Sequence, residues 1–256
     1  MDLGLTGKTA LVVGGGRGIG RATVRLLAQE GAHVAVFSRT ASEVDDAAAE
    51  VRAIGRKAFA ASVDVLDRPK FHAAFDAAQS ALGAPSVLVW CVAPFWKPTR
   101  LQHLPDEELD QLLATDLSAA LVACRRALDG MLELQFGRLV LVGSLVSQVG
   151  IAGGTAYAAA KAGLEGAVRA LSVDYARRGI TANVVSPGFT ASERLEQRLA
   201  GDPEQREKLV RHTTRRALVT PAEVAEAIVF LCSTRAAAIT GTVLEVTAGA
   251  HLNTLW

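Results

Sequence analysis

The amino-acid sequence predicts an α/β fold, a doubly wound sheet of seven parallel strands with helices on both faces. Three observations lead there. Short apolar runs alternate with amphipathic stretches along all 256 residues. Half of the residues are hydrophobic but only 5% are aromatic, so the core must be built from Ala, Val and Leu, the small branched packing of helices on a parallel sheet. A glycine run, GGGRGIG at 14–20, separates the first apolar run from the first amphipathic one. With no linker, low-complexity tract or repeat, residues 1–256 are expected to form a single domain.

The elements follow in order. KTALVV (8–13) reads as a buried strand, and 18–31 as a helix with Ala22, Val24, Leu26 and Leu27 apolar and Gly31 as its stop. HVAVFS (33–38) is a second strand. The stretch 41–55 is a helix with Ser42 as N-cap and Gly55 as its stop. Strand 57–64, helix 67–82 and strand 87–91 come next. One long helix is expected from about Asp106 to Leu132, then strand 138–144, a helix from Thr155 to Arg178 and strand 180–186. An Arg-rich helical insertion (190–216), helix 221–233 and strand 242–246 complete the alternation.

Charge and cysteine usage narrow the function classes. The net charge is +1, from 27 basic and 26 acidic residues, which offers no electrostatic case for nucleic acid or an anionic membrane. Cys91, Cys124 and Cys232 are far apart and lack CxxC spacing, so neither a disulfide framework nor a zinc site is expected. The five histidines are scattered singly, and no metal is expected. No signal peptide or 18-residue apolar span is visible, and a cytoplasmic location is the expectation.

The glycine run carries the first chemistry. Glycines let the backbone turn tightly and approach a pyrophosphate, while the following helix N-terminus offers free N–H groups and partial positive charge. Gly14, Gly16, Arg17, Gly18, Ile19 and Gly20 are therefore candidate dinucleotide-binding residues. The Gly14-x-x-x-Gly18-x-Gly20 spacing resembles the short-chain dehydrogenase/reductase family, whose motif is TGxxxGxG; Val13 stands where that family has Thr. The resemblance implies a Rossmann-type fold. At the end of the second strand, Ser38, Arg39 and Thr40 replace the Asp of NAD-binding members, and Arg17 lies in the loop. Guanidiniums clamp a 2′-phosphate that a carboxylate would repel, so NADP(H) is the expected cofactor. By resemblance, Asp64 and Val65 face the adenine.

TAYAAAKAGLEG (155–166) places Tyr157 and Lys161 four residues apart, on one helix face. An ammonium beside a phenol favours the phenolate, and such a Tyr can exchange a proton with a carbonyl or alcohol oxygen. Ser144 precedes Tyr157 by thirteen residues, where the family has its catalytic Ser. The stretch Asn183 to Thr190 resembles the family's NxxxPGxxxT region. Pro187, Gly188 and Thr190 are accordingly expected along the nicotinamide, beside Tyr157 and Lys161. Thr220-Pro221 and Ile239-Thr-Gly241 match the family's last third, so the resemblance spans about residues 5 to 250.

Three departures stand out. Asp116 occupies the place of the family's catalytic Asn, whose main-chain carbonyl holds a water by that resemblance; the main-chain role can survive the change, the carboxylate can pair with Lys161, and loss of the relay is the rival reading. Trp90-Cys91-Val92-Ala93 replaces Asn-Asn-Ala-Gly, removing two asparagines and putting Ala93 where Gly approaches the cofactor ribose. Gln135 and Val173 stand where carrier-protein ketoreductases have docking arginines, although Arg125, Arg126 and Arg169 are near.

The sequence thus points to an NADPH-dependent ketoreductase acting on a hydrophobic, polyketide-type or aromatic ketone. Ser144, Tyr157, Lys161 and Asp116 are its catalytic candidates. Phe95, Trp96, Leu145, Val146, Ala152 and Phe189 are candidate pocket walls, with Ala93 beside them. The alternatives are NADP-dependent oxidation of a secondary alcohol, and a cofactor-binding but inactive regulatory member. By resemblance the assembly is a homotetramer or homodimer.

Overall fold

The computed structural model describes residues 2–94 and 97–252. Its strands are Thr9–Val13 (β1), His33–Ser38 (β2), Ala58–Ser62 (β3), Val87–Trp90 (β4), Gly137–Val142 (β5), Ile180–Pro187 (β6) and Val243–Val246 (β7). They form one sheet in the order β3-β2-β1-β4-β5-β6-β7, every neighbour parallel. The chain therefore winds outward one way from β1 and the other way from β4. A crevice opens between their carboxyl ends, where such sheets bind ligands.

The helices cover both faces. Gly18–Gln29 (α1) and Ala41–Ala53 (α2) pack on one face together with Pro221–Cys232, numbered α10 in chain order; their Val24, Leu27, Val44, Val51 and Ile228 meet Val12, Val36 and Val89 of the strands. Arg68–Leu82 (α3) and Asp106–Leu113 (α4) lie in the first half of the other layer, followed by Ala119–Leu134 (α5), the short Val146–Val149 (α6) and Thr155–Tyr175 (α7). On that face Phe71, Phe75, Ala120, Ala123, Leu164 and Val168 meet Leu11, Leu88, Trp90 and Leu141. Alternate residues of each strand enter opposite cores, so strands buried on both sides read as unbroken apolar runs. Glu193–Leu199 (α8) and Pro203–Arg211 (α9) lie in the Arg-rich stretch before α10.

The expected helix from Asp106 to Leu132 is not continuous. Residues Ala114–Ser118 form a π turn between α4 and α5. Its extra residue per turn re-aims the backbone at Asp116, which is fully buried. The helix expected to reach Arg178 ends at Tyr175 in a 3₁₀ turn over Ala176–Arg178.

Trp90 is fully buried at the end of β4, as core rather than site wall. Its indole fills the space, but Nε1 has no hydrogen-bond partner among the described residues. An orphaned buried donor costs roughly 1–3 kcal/mol.

Candidate active site

The glycine loop sits at the crevice, and its spacing follows from the neighbouring backbone. Gly14 has φ +84°, and a Cβ there would lie 2.8 Å from both the carbonyl carbon and oxygen of Cys91 at the end of β4. A Cβ on Gly20 would lie 2.0 Å from the Gly14 carbonyl oxygen, so only glycine lets α1 start this close to β1. Arg17 precedes α1 in extended conformation and caps no amide, and the first turn carries no acid. Ile19 is half-buried against the α1 core. Above Gly18 the nearest groups to a built Cβ, Ser192 Cβ and Glu193 Oε2, are 3.9 Å away. Free amides and the positive dipole fit a pyrophosphate, for which the Glu193 carboxylate beside Gly18 would swing aside.

The ribose end also fits. Ser38 Oγ is buried and has no partner among the described residues, and a side chain on Gly16 would meet it at 2.8 Å. An orphaned hydroxyl facing the glycine loop is the donor that a ligand oxygen would satisfy. Arg17 lies 3.9 Å from Glu43, and Arg39 and Thr40 are exposed beside it. Asp64 accepts the Leu66 amide at 2.9 Å and shapes the turn after β3. Val65 packs into the α3-side core, with 8% of its surface exposed.

At the other end of the crevice, Ser144 follows β5, and its Oγ accepts the Val146 amide at 3.3 Å. Tyr157 and Lys161 lie one turn apart on α7, with Nζ 5.7 Å from the phenol ring centroid. Lys161 is only 1% exposed. It donates to the carbonyls of Val142 (3.0 Å) and Val92 (3.4 Å), while Asp116 Oδ1 lies 3.0 Å away. Three acceptors around three N–H donors are the surroundings of an ammonium. Burial pulls the Lys161 pKa down, but the charges of Asp116 and Tyr157 outweigh it, and the net shift is upward. Burial pushes the Asp116 carboxyl above the usual carboxylate range, opposed by Lys161. The pairing anticipated between these two side chains is present.

The remaining expected site residues are placed unevenly. Ala93 is exposed at the crevice mouth, and Pro187 is half-buried. Gly188 donates to Val246 at 3.0 Å, and a Cβ on it would lie 2.8 Å from Thr247 Cα. Thr190 turns its hydroxyl back onto the Gly188 carbonyl at 3.1 Å, and Ser192 is the residue brought over Gly18. Leu145 is buried, Val146 half-buried and Ala152 exposed. The Phe189 ring stands 6.4 Å from that of His212. Phe95 and Trp96 lie outside the described residues.

Sequence reasoning missed several neighbours. Ser147 donates to Glu165 Oε1 at 2.6 Å, and Gln148 bonds Glu245, so two carboxylates tie down α6 just after Ser144. Glu165 sits one turn beyond Lys161, a spacing that was visible. Arg194 reaches Pro94 across the crevice, with Nη1 3.4 Å from its carbonyl oxygen; nothing in the sequence places α8 there.

Comparison with known proteins places this geometry. Residues 13–251 match the family model described as enoyl-(acyl carrier protein) reductase. The 3-oxoacyl-(acyl-carrier-protein) reductase of Vibrio harveyi is 35% identical over 250 residues, 98% of this chain and 100% of the relative. The enzyme of that name from Escherichia coli K12 is 34% identical over 246 residues, 96% of this chain and 98% of its own. A solved structure from Agrobacterium tumefaciens, provisionally assigned as a gluconate dehydrogenase, superposes with a TM-score of 0.92 at 28% identity, covering 99% of this chain and 100% of that one. One from Sinorhizobium meliloti, provisionally assigned as a short-chain alcohol dehydrogenase, gives 0.92 at 30% identity with the same coverage.

Proposed function

The chain belongs to the short-chain dehydrogenase/reductase family and is an oxidoreductase acting on CH–OH and C=O groups; we propose that it reduces a largely apolar ketone to a secondary alcohol with NADPH. The observation that carries this reading is the buried Lys161–Asp116 pair beneath Tyr157, at the same crevice as the glycine cradle. The alcohol relatives keep the reverse direction, oxidation with NADP⁺, as the second reading, because one acid–base group serves both.

In this reading the amides of Gly18 and Ile19 and the α1 dipole hold the pyrophosphate, and Ser38, Arg17 and Arg39 hold the 2′-phosphate end. Lys161 would give up its longer bond, 3.4 Å to the Val92 carbonyl, to hold the nicotinamide ribose. The cofactor supplies the hydride at its nicotinamide ring. Ser144 donates a hydrogen bond to the ketone oxygen and fixes it beside Tyr157. Tyr157 transfers its phenolic proton to that oxygen as the carbonyl carbon is reduced, so proton and hydride together account for the alcohol. The Lys161 ammonium stabilises the phenolate left behind, and Asp116 keeps Lys161 charged inside the fold. Apolar Leu145, Val146, Ala152 and Phe189, with Phe95 and Trp96, are proposed to set the substrate.

The same proposal extends to assembly. Leu113, Leu117, Leu121 and Val122 line an apolar groove on the outer side of α4 and α5, which suits a homotetramer or homodimer. No helix among the described residues is long and apolar enough to cross a membrane. The three cysteines are free thiols, consistent with a single domain working in a reducing cytoplasm.

The test is NADPH oxidation with a panel of aryl and alkyl ketones, comparing wild type with Tyr157→Phe. Tyr157-dependent turnover supports the reading. NADPH binding without any Tyr157-dependent turnover in either direction overturns it.

A further inference from the structure

Ser144 and Tyr157 must meet at one ketone oxygen, yet they stand on different elements. Tyr157 is on α7, a long helix whose Ala156, Ala160, Leu164 and Val168 are buried. Ser144 comes just before α6, a four-residue turn, Val146–Val149, in which no residue is buried. Its Oγ accepts the Val146 amide at 3.3 Å, which leaves its hydrogen for the ketone and makes the side chain follow α6. A single helical turn without a buried face does not hold its own place. The backbone anchors its start, where the Leu145 amide donates to the Pro187 carbonyl at 3.1 Å. Side chains must hold the rest.

Ser147 makes the contact with α7. Its hydroxyl lies 2.7 Å from the Ser144 carbonyl and 2.6 Å from Glu165 Oε1. The same carbonyl receives the Ser147 amide at 3.0 Å, so the single hydroxyl hydrogen can go to Glu165 without leaving that carbonyl bare. Glu165 thus reaches Ser144 through one residue. Tyr157, Lys161 and Glu165 follow at successive spacings of four and share a face of α7. The helix that carries the proton donor therefore also grips the turn that places the second hydroxyl. The other tether, Gln148 to Glu245, runs to β7 instead.

Resting on the ketoreductase reading of the site, we propose that Glu165 is a positioning residue: by holding Ser147 it sets Ser144 at the distance from Tyr157 at which both reach one ketone oxygen. It acts through Ser147 and Ser144, not on the substrate. A misplacement on the order of 1 Å in a group that must bond the reacting oxygen costs up to about 10²-fold in rate.

The test reads the tether and its catalytic consequence separately, on the full chain. Hydrogen exchange of amides 144–150, followed by mass spectrometry with NADP⁺ present, is expected to rise about fivefold or more in Glu165→Ala and to stay near wild type in Glu165→Gln, whose amide still bonds the hydroxyl. In NADPH turnover with acetophenone and 2-octanone, Glu165→Ala and Ser147→Ala are each expected to lower kcat about tenfold with KM for NADPH within about twofold, and Glu165→Gln to recover most of the loss. In a Ser144→Ala background the same Glu165→Ala change is expected to cost less than about twofold, because no hydroxyl remains to be placed. Unchanged exchange over 144–150 overturns the proposal. So does an unchanged kcat in Glu165→Ala, or a kcat loss of equal size with and without the Ser144 hydroxyl, which would make Glu165 a support of α7 alone. The exchange measurement needs no turnover, so the ketoreductase reading fails separately, in the Tyr157 assay.

Discussion

Replacing Asp116 by Asn removes one charge from a buried pair and keeps the side-chain shape. Asp116 Oδ1 lies 3.0 Å from Lys161 Nζ, and the residues are 0% and 1% exposed. At an effective dielectric near 20, two unit charges at that separation attract by about 5 kcal/mol. The amide oxygen of Asn recovers part of this, and the Val142 and Val92 carbonyls still hold the ammonium. The expected net loss of stability near pH 7 is about 2–4 kcal/mol. Its pH dependence has a definite sign. Lys161 has a raised pKa in the fold, so its contribution is full below its unfolded value and is lost as pH rises through the folded one. Asp116 also has a raised pKa, so the folded state holds its proton more tightly than the unfolded chain does, and ionising it as pH rises offsets part of the pair's gain. The difference between the proteins therefore shrinks as pH rises through the folded Lys161 titration. Urea unfolding of wild type and Asp116→Asn at acidic, neutral and alkaline pH measures it. Removing a negative charge also lowers the proton affinity of every nearby group, so the alkaline limb of kcat/KM moves to lower pH. A stability difference below about 0.5 kcal/mol at every pH, with an unmoved rate profile, would refute the reasoning.

The other predictions concern separate parts of the molecule. Tyr157→Phe lowers kcat by about 10²–10⁴-fold, the usual worth of a positioned acid, while NADPH affinity measured by fluorescence titration stays within about threefold. Arg39→Gln and Arg17→Gln each weaken NADPH binding about fivefold, a charge-assisted hydrogen bond discounted for screening at exposed sites, and leave NADH binding within twofold. Gly14→Ala forces an L residue to φ +84° with its methyl against the Cys91 backbone, so it costs about 2 kcal/mol or more and lowers Tm by several degrees in calorimetry. Trp90→Ala costs about 3–5 kcal/mol in chemical unfolding, because a fully buried indole leaves a cavity between β4 and α5.

The sheet was legible because a strand buried on both faces must be apolar throughout, and runs such as LVV after Ala10 or VLVW at 87–90 leave no other reading in an alternating chain. The glycine loop was legible because its spacing answers to hard contacts, Gly20 against the Gly14 carbonyl and Gly14 against Cys91. The π turn at Ala114–Ser118 was not, since Ala-Thr-Asp-Leu-Ser carries no breaker; the turn's visible consequence is the burial of Asp116 against Lys161 on a different helix. Nor was the place of α8. It is a short, charged segment whose position over Gly18 comes from tertiary contact, and with it came Ser192, Glu193 and Arg194. Asp116 shows how the two kinds of information combine. Motif spacing gave its position in the site, but a motif is silent about a residue that departs from it. Only the surroundings decide what the substituted charge does: the same carboxylate at a solvated position would be a minor surface charge, while at 3.0 Å from a sealed ammonium it holds the protonation state on which the neighbouring phenol depends.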